Sequence, residues 1–354
     1  MNSEATAEQP PYGSLRRLSV VIPVYNEQTW VRTAVEALYR SAEQAGLELD
    51  VVVVDDGSSD STPEVLALLA EETGLRVVSQ ANAGRVAARA AGLRAAREPW
   101  VLLLDARVII GADSLDWLRR QLDENPGRNV WCGHVDVETR GNPYAAFWSG
   151  LVKIGWRRYT RDPRLVSFGI DEFDAFPKGT GCLLMERELL LESLSGFGSL
   201  YDVAHLASDD TRLLRHVAGR ERIWLSPDFS FTYHGKSGAR GFVKQSYFRG
   251  TTFVDSYMGQ PGVVRRALIA AVGAAAAVGV VALRHPKIGA VGVLGAVLAI
   301  PTAVYAAGGS RGEVRSAGVL TPAFLPVFGA GVLRGLALAA KRLLRPAARD
   351  AAER

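Results

Sequence analysis

The sequence predicts an α/β fold: a mostly parallel sheet with helices on both faces, followed by C-terminal helices that cross the membrane or lie in its interface. Three observations support this prediction. Apolar, β-branched runs alternate with helical periodicity over residues 18–104, as in βαβ units. Acidic and polar residues directly follow these runs, at the strand ends where parallel sheets bind ligands. Beyond residue 258 the chain is rich in Ala, Gly, Val and Leu and holds very few acids.

Strands and helices alternate regularly in the first part of the chain. Each apolar run has the length of a buried strand, and each intervening segment carries apolar residues at helical spacing. Gly46 follows the first helical segment, and Pro63 opens the second. The predicted strands are residues 18–24, 49–54, 75–78 and 100–104, and the predicted helices are residues 31–46, 63–69 and 85–97.

Residues 113–237 have a weaker periodicity, and their element boundaries are harder to predict. A Gly-rich stretch at residues 178–182 interrupts the pattern. The predicted elements are helices at residues 114–122, 187–193 and 210–217 and a strand near residues 130–137.

Composition divides the chain into four segments. Residues 1–17 are polar and lack the apolar core of a signal peptide, so we expect them to be disordered and the next domain to stay in the cytoplasm. Cys132 and Cys182 have no metal-type spacing and indicate no disulfide framework, which fits a reducing compartment. The other segments are an α/β domain at residues 18–257, a membrane domain of two or three hydrophobic helices at residues 258–345, and a basic tail at residues 346–354.

Three apolar runs occupy the membrane domain, at residues 267–283, 288–309 and 316–333. The first two are long enough to span a bilayer, whereas Pro322 and Pro326 interrupt the third. If the chain spans the inner (plasma) membrane twice, its basic C-terminal end returns to the cytoplasmic side, as the positive-inside tendency prefers. Three spans would place that end on the opposite side. The pattern favours two spans plus an interfacial segment and leaves three spans open. A soluble helical bundle is disfavoured because the runs are apolar all round.

The charge pattern favours a membrane surface as a partner. The formal net charge is +4, and the cations of the C-terminal region flank apolar runs instead of interleaving with aromatic residues. Nucleic acid is therefore not expected to bind. These cations are Arg265, Arg266, Arg284, Lys287, Arg311, Arg315, Arg334, Lys341, Arg342, Arg345 and Arg349.

Two motifs at the ends of the first two predicted strands resemble one family. They are the sequences VVIPVYNE at residues 20–27 and VDDGSSDST at residues 54–62. Together and at this spacing, they resemble the family 2 glycosyltransferases, whose GT-A fold is Rossmann-like. The resemblance covers about residues 18–257, and the C-terminal region resembles that of membrane-bound exopolysaccharide or lipid-linked-oligosaccharide enzymes.

The paired acids Asp55 and Asp56 are candidate nucleotide ligands. A carboxylate at a strand end can accept hydrogen bonds from a uracil N–H or from sugar hydroxyls. The resemblance assigns this pair, with Pro23, Tyr25 and Glu27, to the nucleoside pocket of a nucleoside-diphosphate sugar, with a UDP-sugar favoured. In the alternative interpretation, Asp56 and Asp60 only cap the next helix.

Polar residues in two further segments resemble diphosphate ligands of the family. Asn82 and Arg85 lie at a predicted helix start, which favours anions, and Arg89 is either a further contact or a solvated helix cation. Gln245 and Arg249 resemble a Gln-x-x-Arg-Trp box, but the spacing is one residue longer and the Trp is missing. That departure favours a single addition over processive polymerisation.

The candidate metal ligands are Asp105 and His234. Relatives usually carry two acids in an Asp-x-Asp arrangement that binds Mg²⁺ or Mn²⁺, but Arg107 stands in the second position here. Either Asp105 with the diphosphate suffices, which is the preferred interpretation, or the arginine partly substitutes for the metal's charge. His234 is a further ligand or an ordinary strand-end histidine.

The candidate catalytic residues are Asp210 and Asp209, in a segment that resembles the family's Glu-Asp-x-x-Leu helix start. Asp210 would be the general base and Asp209 would orient a partner or the acceptor. In the alternative interpretation, both only cap a helix. Residues 177–182 resemble the Gly-rich lining of the sugar pocket or form a plain turn.

The resemblance implies an inverting transfer to a lipid-linked or membrane-proximal glycan, in cell-envelope or exopolysaccharide biosynthesis. As an alternative, Arg107 marks a catalytically silent member that binds nucleotide or glycan as a scaffold in a synthase complex. Nothing in the sequence indicates an oligomeric state.

Overall fold

A nine-stranded sheet forms the centre of the first 257 residues. The computed structural model describes residues 15–195, 200–201, 209–259 and 262–343. The strands are β1 (Arg17–Val24), β2 (Glu48–Asp55), β3 (Arg76–Ser79), β4 (Trp100–Leu104), β5 (Val108–Ile110), β6 (Val130–Val137), β7 (Val166–Phe168), β8 (Cys182–Glu186) and β9 (Ile223–Tyr233).

The sheet is parallel in its first part and mixed beyond. Its order is β3-β2-β1-β4-β8-β6-β9-β5, and β7 pairs with β9. Strands β1 to β4 pair in parallel through helical crossovers, whereas β8 runs antiparallel to both β4 and β6. The predicted α/β fold is confirmed, and the expectation of a mostly parallel sheet holds for β1 to β4.

Twelve helices accompany the sheet in the described residues. The predicted helix at residues 63–69 extends to Thr73, and the other helices predicted up to residue 217 match within a few residues. The helices are α1 (Val31–Ala45), α2 (Thr62–Thr73), α3 (Arg85–Ala95), α4 (Ser114–Glu124), α5 (Pro143–Gly155), α6 (Arg157–Thr160), α7 (Arg187–Ser195), α8 (Asp209–Ala218), α9 (Ala239–Tyr257), α10 (Val263–Arg284), α11 (Pro286–Ala306) and α12 (Arg311–Leu343).

The core lies on both faces of the sheet because alternate strand residues point to opposite sides. Val20, Ile22 and Leu102 pack on the face covered by α1 and α4. Val21 and Leu103 pack with residues of α7 and α8 on the other face. The two packed layers hold the carboxyl ends of β1, β2 and β4 at one edge.

The C-terminal helices divide into an exposed pair and a packed helix. Three helices are long and apolar enough to cross a membrane: Val264–Arg284, Pro286–Ala306 and Arg311–Arg342. Most residues of α10 and α11 are not covered by the rest of the protein, whereas α12 packs along α9 and α5. Pro322 and Pro326 lie inside α12, which is a continuous helix, so the third run is also long enough to cross a membrane. Residues 346–354 lie outside the described part of the chain.

Close backbone contact joins α12 to α9. A Cβ atom at Gly331 would overlap the carbonyl oxygen of Tyr247, and one at Gly250 would overlap that of Phe328. Nearer its start, α12 holds the buried Glu313, which accepts hydrogen bonds from Ser149 Oγ and Lys153 Nζ of α5. The helix is therefore part of the packing of the α/β domain.

Candidate functional site

The carboxyl ends of β1 and β2 continue into two loops that hydrogen-bond to each other. Asn26 has a positive φ of 54°, and its backbone N–H donates to Ser58 Oγ over 3.0 Å. The Ser59 N–H donates to Asn26 Oδ1 over 2.8 Å. These bonds fix the backbone around Pro23 and Tyr25, and the Tyr25 ring is left exposed.

Asp55 and Asp56 are both buried at the end of β2. Asp55 Oδ1 accepts a hydrogen bond from the Ser58 N–H at 3.0 Å. Asp56 accepts from the N–H groups of Ala83 and Gly84, each at 2.9 Å, and from Gln80. Asp56 therefore shapes the loop that leads through Asn82 into α3. Its predicted contact with a nucleoside stays a prediction.

Asp60 hydrogen-bonds to the start of α2 from the position before the N-cap residue Ser61. Its Oδ1 accepts a hydrogen bond from the Thr62 N–H at 3.0 Å, at the first residue of α2. Asp56 makes its bonds to the loop before α3 instead. The two acids of this motif thus support different helix starts.

Glu27 and Arg107 form an ion pair between the ends of β1 and β4. Arg107 Nε lies 2.7 Å and 2.8 Å from the two carboxylate oxygens of Glu27, and both side chains are mostly buried. The arginine that stands where relatives usually have a second acid is thus held by a carboxylate predicted to line the nucleoside pocket. The pair fixes the position of the guanidinium of Arg107, two residues after Asp105 in the sequence.

Arg89 lies between two of the predicted site acids. Its side chain is 1% exposed; Nη2 donates to Asp105 Oδ1 and Nη1 to Asp210 Oδ1, each over 3.1 Å. The interpretation of Arg89 as a solvated helix cation is therefore wrong. A donor-side acid and the candidate base share one buried cation.

Asp210 lies in the first turn of α8 and remains partly exposed. Thr180 donates a hydrogen bond from its Oγ1 to Asp210 Oδ1. Burial raises the pKa of Asp210, but the charges of Arg89 and Arg85 and the Thr180 hydrogen bond outweigh it and lower this pKa to about 2. The carboxylate is ionised at neutral pH. Asp209 is the first residue of α8, and its predicted role stays a prediction.

The Gly-rich segment before β8 lies directly against Asp105. The Asp105 N–H donates to the Gly181 carbonyl over 2.9 Å, and a Cβ at Gly181 would lie 3.3 Å from Asp105 Oδ2. Glycine therefore leaves room beside this carboxylate. The segment is part of the site wall, as its resemblance to a pocket lining implies, and it supplies Thr180.

Tyr233 and Arg249 interact electrostatically with the charged residues of the site. Burial raises the pKa of Tyr233, and the charges of Arg249, Asp105, Arg107 and Glu27 also act on it. Arg249 lies over the Trp148 ring, 4.2 Å from its centroid. The sequence analysis did not select Tyr233, because its residue type and position match no motif. The structure brings it to the site by pairing it with Val108, where β5 and β9 run side by side.

The predicted metal ligands, Asp105 and His234, each contact other groups in the structure. His234 stacks on Trp30 at a centroid distance of 4.1 Å, and its N–H donates to the Arg107 carbonyl. Among the described residues, no group of three His, Cys, Asp or Glu residues is arranged to hold a metal ion. Asp105 instead faces Arg89 and neighbours Arg107. These residues do not fit a divalent cation held by protein side chains.

Comparison with known sequences identifies related proteins over part of the chain. The family model described as glycosyl transferase family 2 matches residues 19–190. An undecaprenyl-phosphate 4-deoxy-4-formamido-L-arabinose transferase from Pseudomonas aeruginosa is 43% identical over 150 residues, which cover 40% of this chain and 42% of that protein. The uncharacterized glycosyltransferase YibD from Escherichia coli is 36% identical over 94 residues, 26% of each chain. The chain spans between 22% and 42% of the length of the curated relatives it matches.

A solved structure has the same fold over nearly the whole chain. It is the mannosyltransferase PcManGT from Pyrobaculum calidifontis in complex with GDP-Man and Mn²⁺, with a TM-score of 0.58 and 19% identity. The match covers 93% of this chain and 88% of the mannosyltransferase. At this identity the likeness concerns the fold, which is GT-A.

Proposed function

The chain carries a glycosyl transferase family 2 domain over residues 19–190, and from that premise we propose that it is an inverting glycosyltransferase acting on a membrane-borne acceptor. The observation that carries the proposal is that Asp105, at the end of β4, and Asp210, at the start of α8, both bond the guanidinium of Arg89. A donor and an acceptor that meet there would have an ionised carboxylate and fixed cations beside the reacting bond.

The donor is a nucleoside-diphosphate sugar, with a UDP-sugar favoured. The loop after β1 exposes the Tyr25 ring, two residues after Pro23, and Asp55 and Asp56 lie buried at the start of the neighbouring loop after β2. An exposed aromatic ring on hydrogen-bonded polar loops suits a nucleoside. The start of α3 suits the diphosphate, because helix N-termini favour anions. Arg85 lies there, about one helical turn before Arg89, which bonds Asp105. Mg²⁺ or Mn²⁺ held by Asp105 and the phosphates is the alternative source of positive charge, supported by the Mn²⁺ present in the mannosyltransferase complex.

In the transfer, an acceptor hydroxyl oxygen attacks the anomeric carbon while the bond from that carbon to the diphosphate breaks. The hydroxyl proton passes to Asp210, and the diphosphate leaves with the bonding electron pair. In the free protein Arg89 and Arg85 hold the pKa of Asp210 at about 2, which makes it a weak base. An anionic diphosphate beside these arginines would raise that pKa. Donor binding would therefore precede efficient deprotonation.

The acceptor is a lipid-linked or membrane-proximal glycan at the cytoplasmic face of the inner membrane. Support comes from the exposed apolar hairpin of α10 and α11 and from the cations that flank it. The packing of α12 on α5 and α9 fits two spans plus a segment that belongs to the catalytic domain. Attachment to the bilayer would raise the effective concentration of a lipid-borne acceptor.

A second candidate acceptor is a lipid phosphate, because several matched relatives are named undecaprenyl-phosphate transferases. A phosphate oxygen is already ionised and needs no base. The low pKa of Asp210 is compatible with such an acceptor. Replacement of Asp210 by Asn separates the two candidates: it should abolish transfer to a hydroxyl and leave much of the transfer to a phosphate.

The test incubates the purified full chain with UDP-, GDP- and dTDP-sugars and, in separate reactions, undecaprenyl phosphate or a bacterial glycolipid extract. Mass spectrometry should detect an acceptor heavier by one sugar. Asp123→Asn, on the outer surface of α4, is the matched control and should keep full activity. Nucleotide binding without any product would overturn the proposal and favour the scaffold alternative.

A further inference from the structure

We propose that arginine side chains, and not a divalent metal, neutralise the departing diphosphate in this protein. The inference rests on the proposed function and adds to it a property of this chain's own residues. Three observations carry it: a fixed arginine two residues after Asp105 in the sequence, a buried arginine already bound to Asp105, and two more arginines that interact electrostatically with Asp210.

Arg107 is the fixed arginine. Its guanidinium bonds to Glu27 at 2.7 Å, and the pair is mostly buried. A guanidinium held in this way is preorganised, so it can stabilise developing negative charge without reorganisation during the reaction. An arginine cannot ligate a metal, but its planar fork matches phosphate oxygens.

Arg89 already provides a positive charge at Asp105. Its guanidinium bonds Asp105 and Asp210, and the side chain is 1% exposed, so a cation that ligated Asp105 Oδ1 would have to displace this guanidinium or lie against it. Like charges at such short range repel strongly where water is excluded. Arg89 therefore competes with a metal ion for this carboxylate oxygen.

Arg85, at the start of α3, and Arg249, within α9, are further cations of the site. The charge of Arg85 lowers the pKa of Asp210, and the charges of Arg85 and Asp210 both act on the pKa of Arg249. Guanidiniums match phosphate oxygens through charge-assisted hydrogen bonds, so these two arginines are candidate diphosphate ligands together with Arg89 and Arg107.

The experiment measures the binding of UDP, GDP and dTDP to the full chain in detergent by calorimetry, in EDTA and in Mn²⁺. We expect at least one nucleotide to bind in EDTA, with a Kd within about threefold of its value in Mn²⁺. Binding that tightens by about tenfold or more on addition of Mn²⁺ would overturn the inference while leaving the proposed function intact. If no nucleotide bound in either condition, the proposed function would fall and the inference with it.

A charge-reversal variant provides a second readout. Glu27→Gln with Arg107→Asp restores two acids in the Asp-x-Asp spacing and removes the pair that fixes the guanidinium. We expect its nucleotide affinity in EDTA to fall about tenfold or more and to recover in part with Mn²⁺. Arg120→Asp, on the surface of α4, is the matched control and should bind as the wild type does. An unchanged affinity of the double variant in EDTA would contradict a role for Arg107.

Discussion

Arg89 Nη1 donates a hydrogen bond to Asp210 Oδ1 over 3.1 Å, although 121 residues separate the two in the sequence. Nη2 of the same guanidinium bonds Asp105. The start of α8 and the end of β4 are therefore connected through one buried side chain of α3, and the position of the candidate base depends on an arginine in the donor half of the domain.

Arg89→Gln should lower kcat/KM by roughly 100- to 1,000-fold, the effect of removing one preorganised polar group from an active site. It also leaves Asp105 and Asp210 without their shared cation. Arg89→Lys keeps the charge but cannot bond both carboxylates as a planar fork, so an intermediate loss is expected. Steady-state rates with the identified donor measure both variants. Equal activity of Arg89→Lys and the wild type would show that the bridging geometry is unimportant.

Thr180→Val should weaken catalysis without affecting nucleotide affinity. The substitution removes the hydroxyl that bonds Asp210 Oδ1 and preserves the shape of the side chain. Without this hydrogen bond Asp210 should have a higher pKa, which favours proton uptake, but a less fixed orientation toward the acceptor, and we expect the loss of orientation to dominate. A split between kcat and the nucleotide Kd is the diagnostic. Thr180→Ser, which keeps the hydroxyl, should retain most of the activity.

Glu27 and Arg107 should couple energetically. Each single variant, Glu27→Gln or Arg107→Gln, leaves a charged partner in a mostly buried place, so each should lower the thermal stability in detergent. The double variant should lose less than the sum of the two, with a coupling energy of about 1–2 kcal/mol. Additive losses would mean that the ion pair does not form in solution.

Gly331→Leu should separate α12 from α9. A side chain at this position would overlap the Tyr247 carbonyl, and the adjacent contacts of Phe324 and Phe242 would be lost. We expect a lower melting temperature and faster proteolysis. Gly329→Leu is the matched control, because a Cβ there meets nothing within 4 Å. The same loss in both variants would argue against close packing of the two helices.

Lys178 should make the stability of the folded protein depend on pH in the alkaline range. Burial lowers the pKa of its amine from 10.5 to about 8 in the folded state. Below about pH 8 the folded protein carries the cost of a buried charge, and this cost disappears as the pH rises toward 10.5, because the unfolded chain alone still binds the proton. The melting temperature of the wild type relative to Lys178→Met should therefore rise over that interval. A difference that is constant with pH would contradict the shift.

Local signals in the sequence predicted much of the fold and the acids of the site. The strands that end at Asp55 and Asp105 have continuous apolar runs, and the motifs that follow them are short. Four strands and the helices α5, α6 and α9 were not predicted. Strand β8 was missed because it is short and directly follows the Gly-rich stretch. Helix α9 was missed because polar and aromatic residues obscure its apolar periodicity.

The connections within the site could not be predicted because they depend on tertiary contacts. Arg89 lies in an Ala-rich helix with no special pattern, and its burial follows from the approach of α8. The pairing of Glu27 with Arg107 likewise crosses between strands. Pro322 and Pro326 are tolerated inside α12, as prolines are in apolar helices whose freed backbone groups find other partners.

The role of Asp210 as the base is tested by comparing the wild type with Asp210→Asn in two assays on the same preparation: nucleotide binding and transfer of a sugar to a glycan hydroxyl on a membrane lipid. The variant should bind the nucleotide as the wild type does but lose transfer by about 1,000-fold or more. Transfer to a hydroxyl at the wild-type rate by Asp210→Asn would show that Asp210 is not the base.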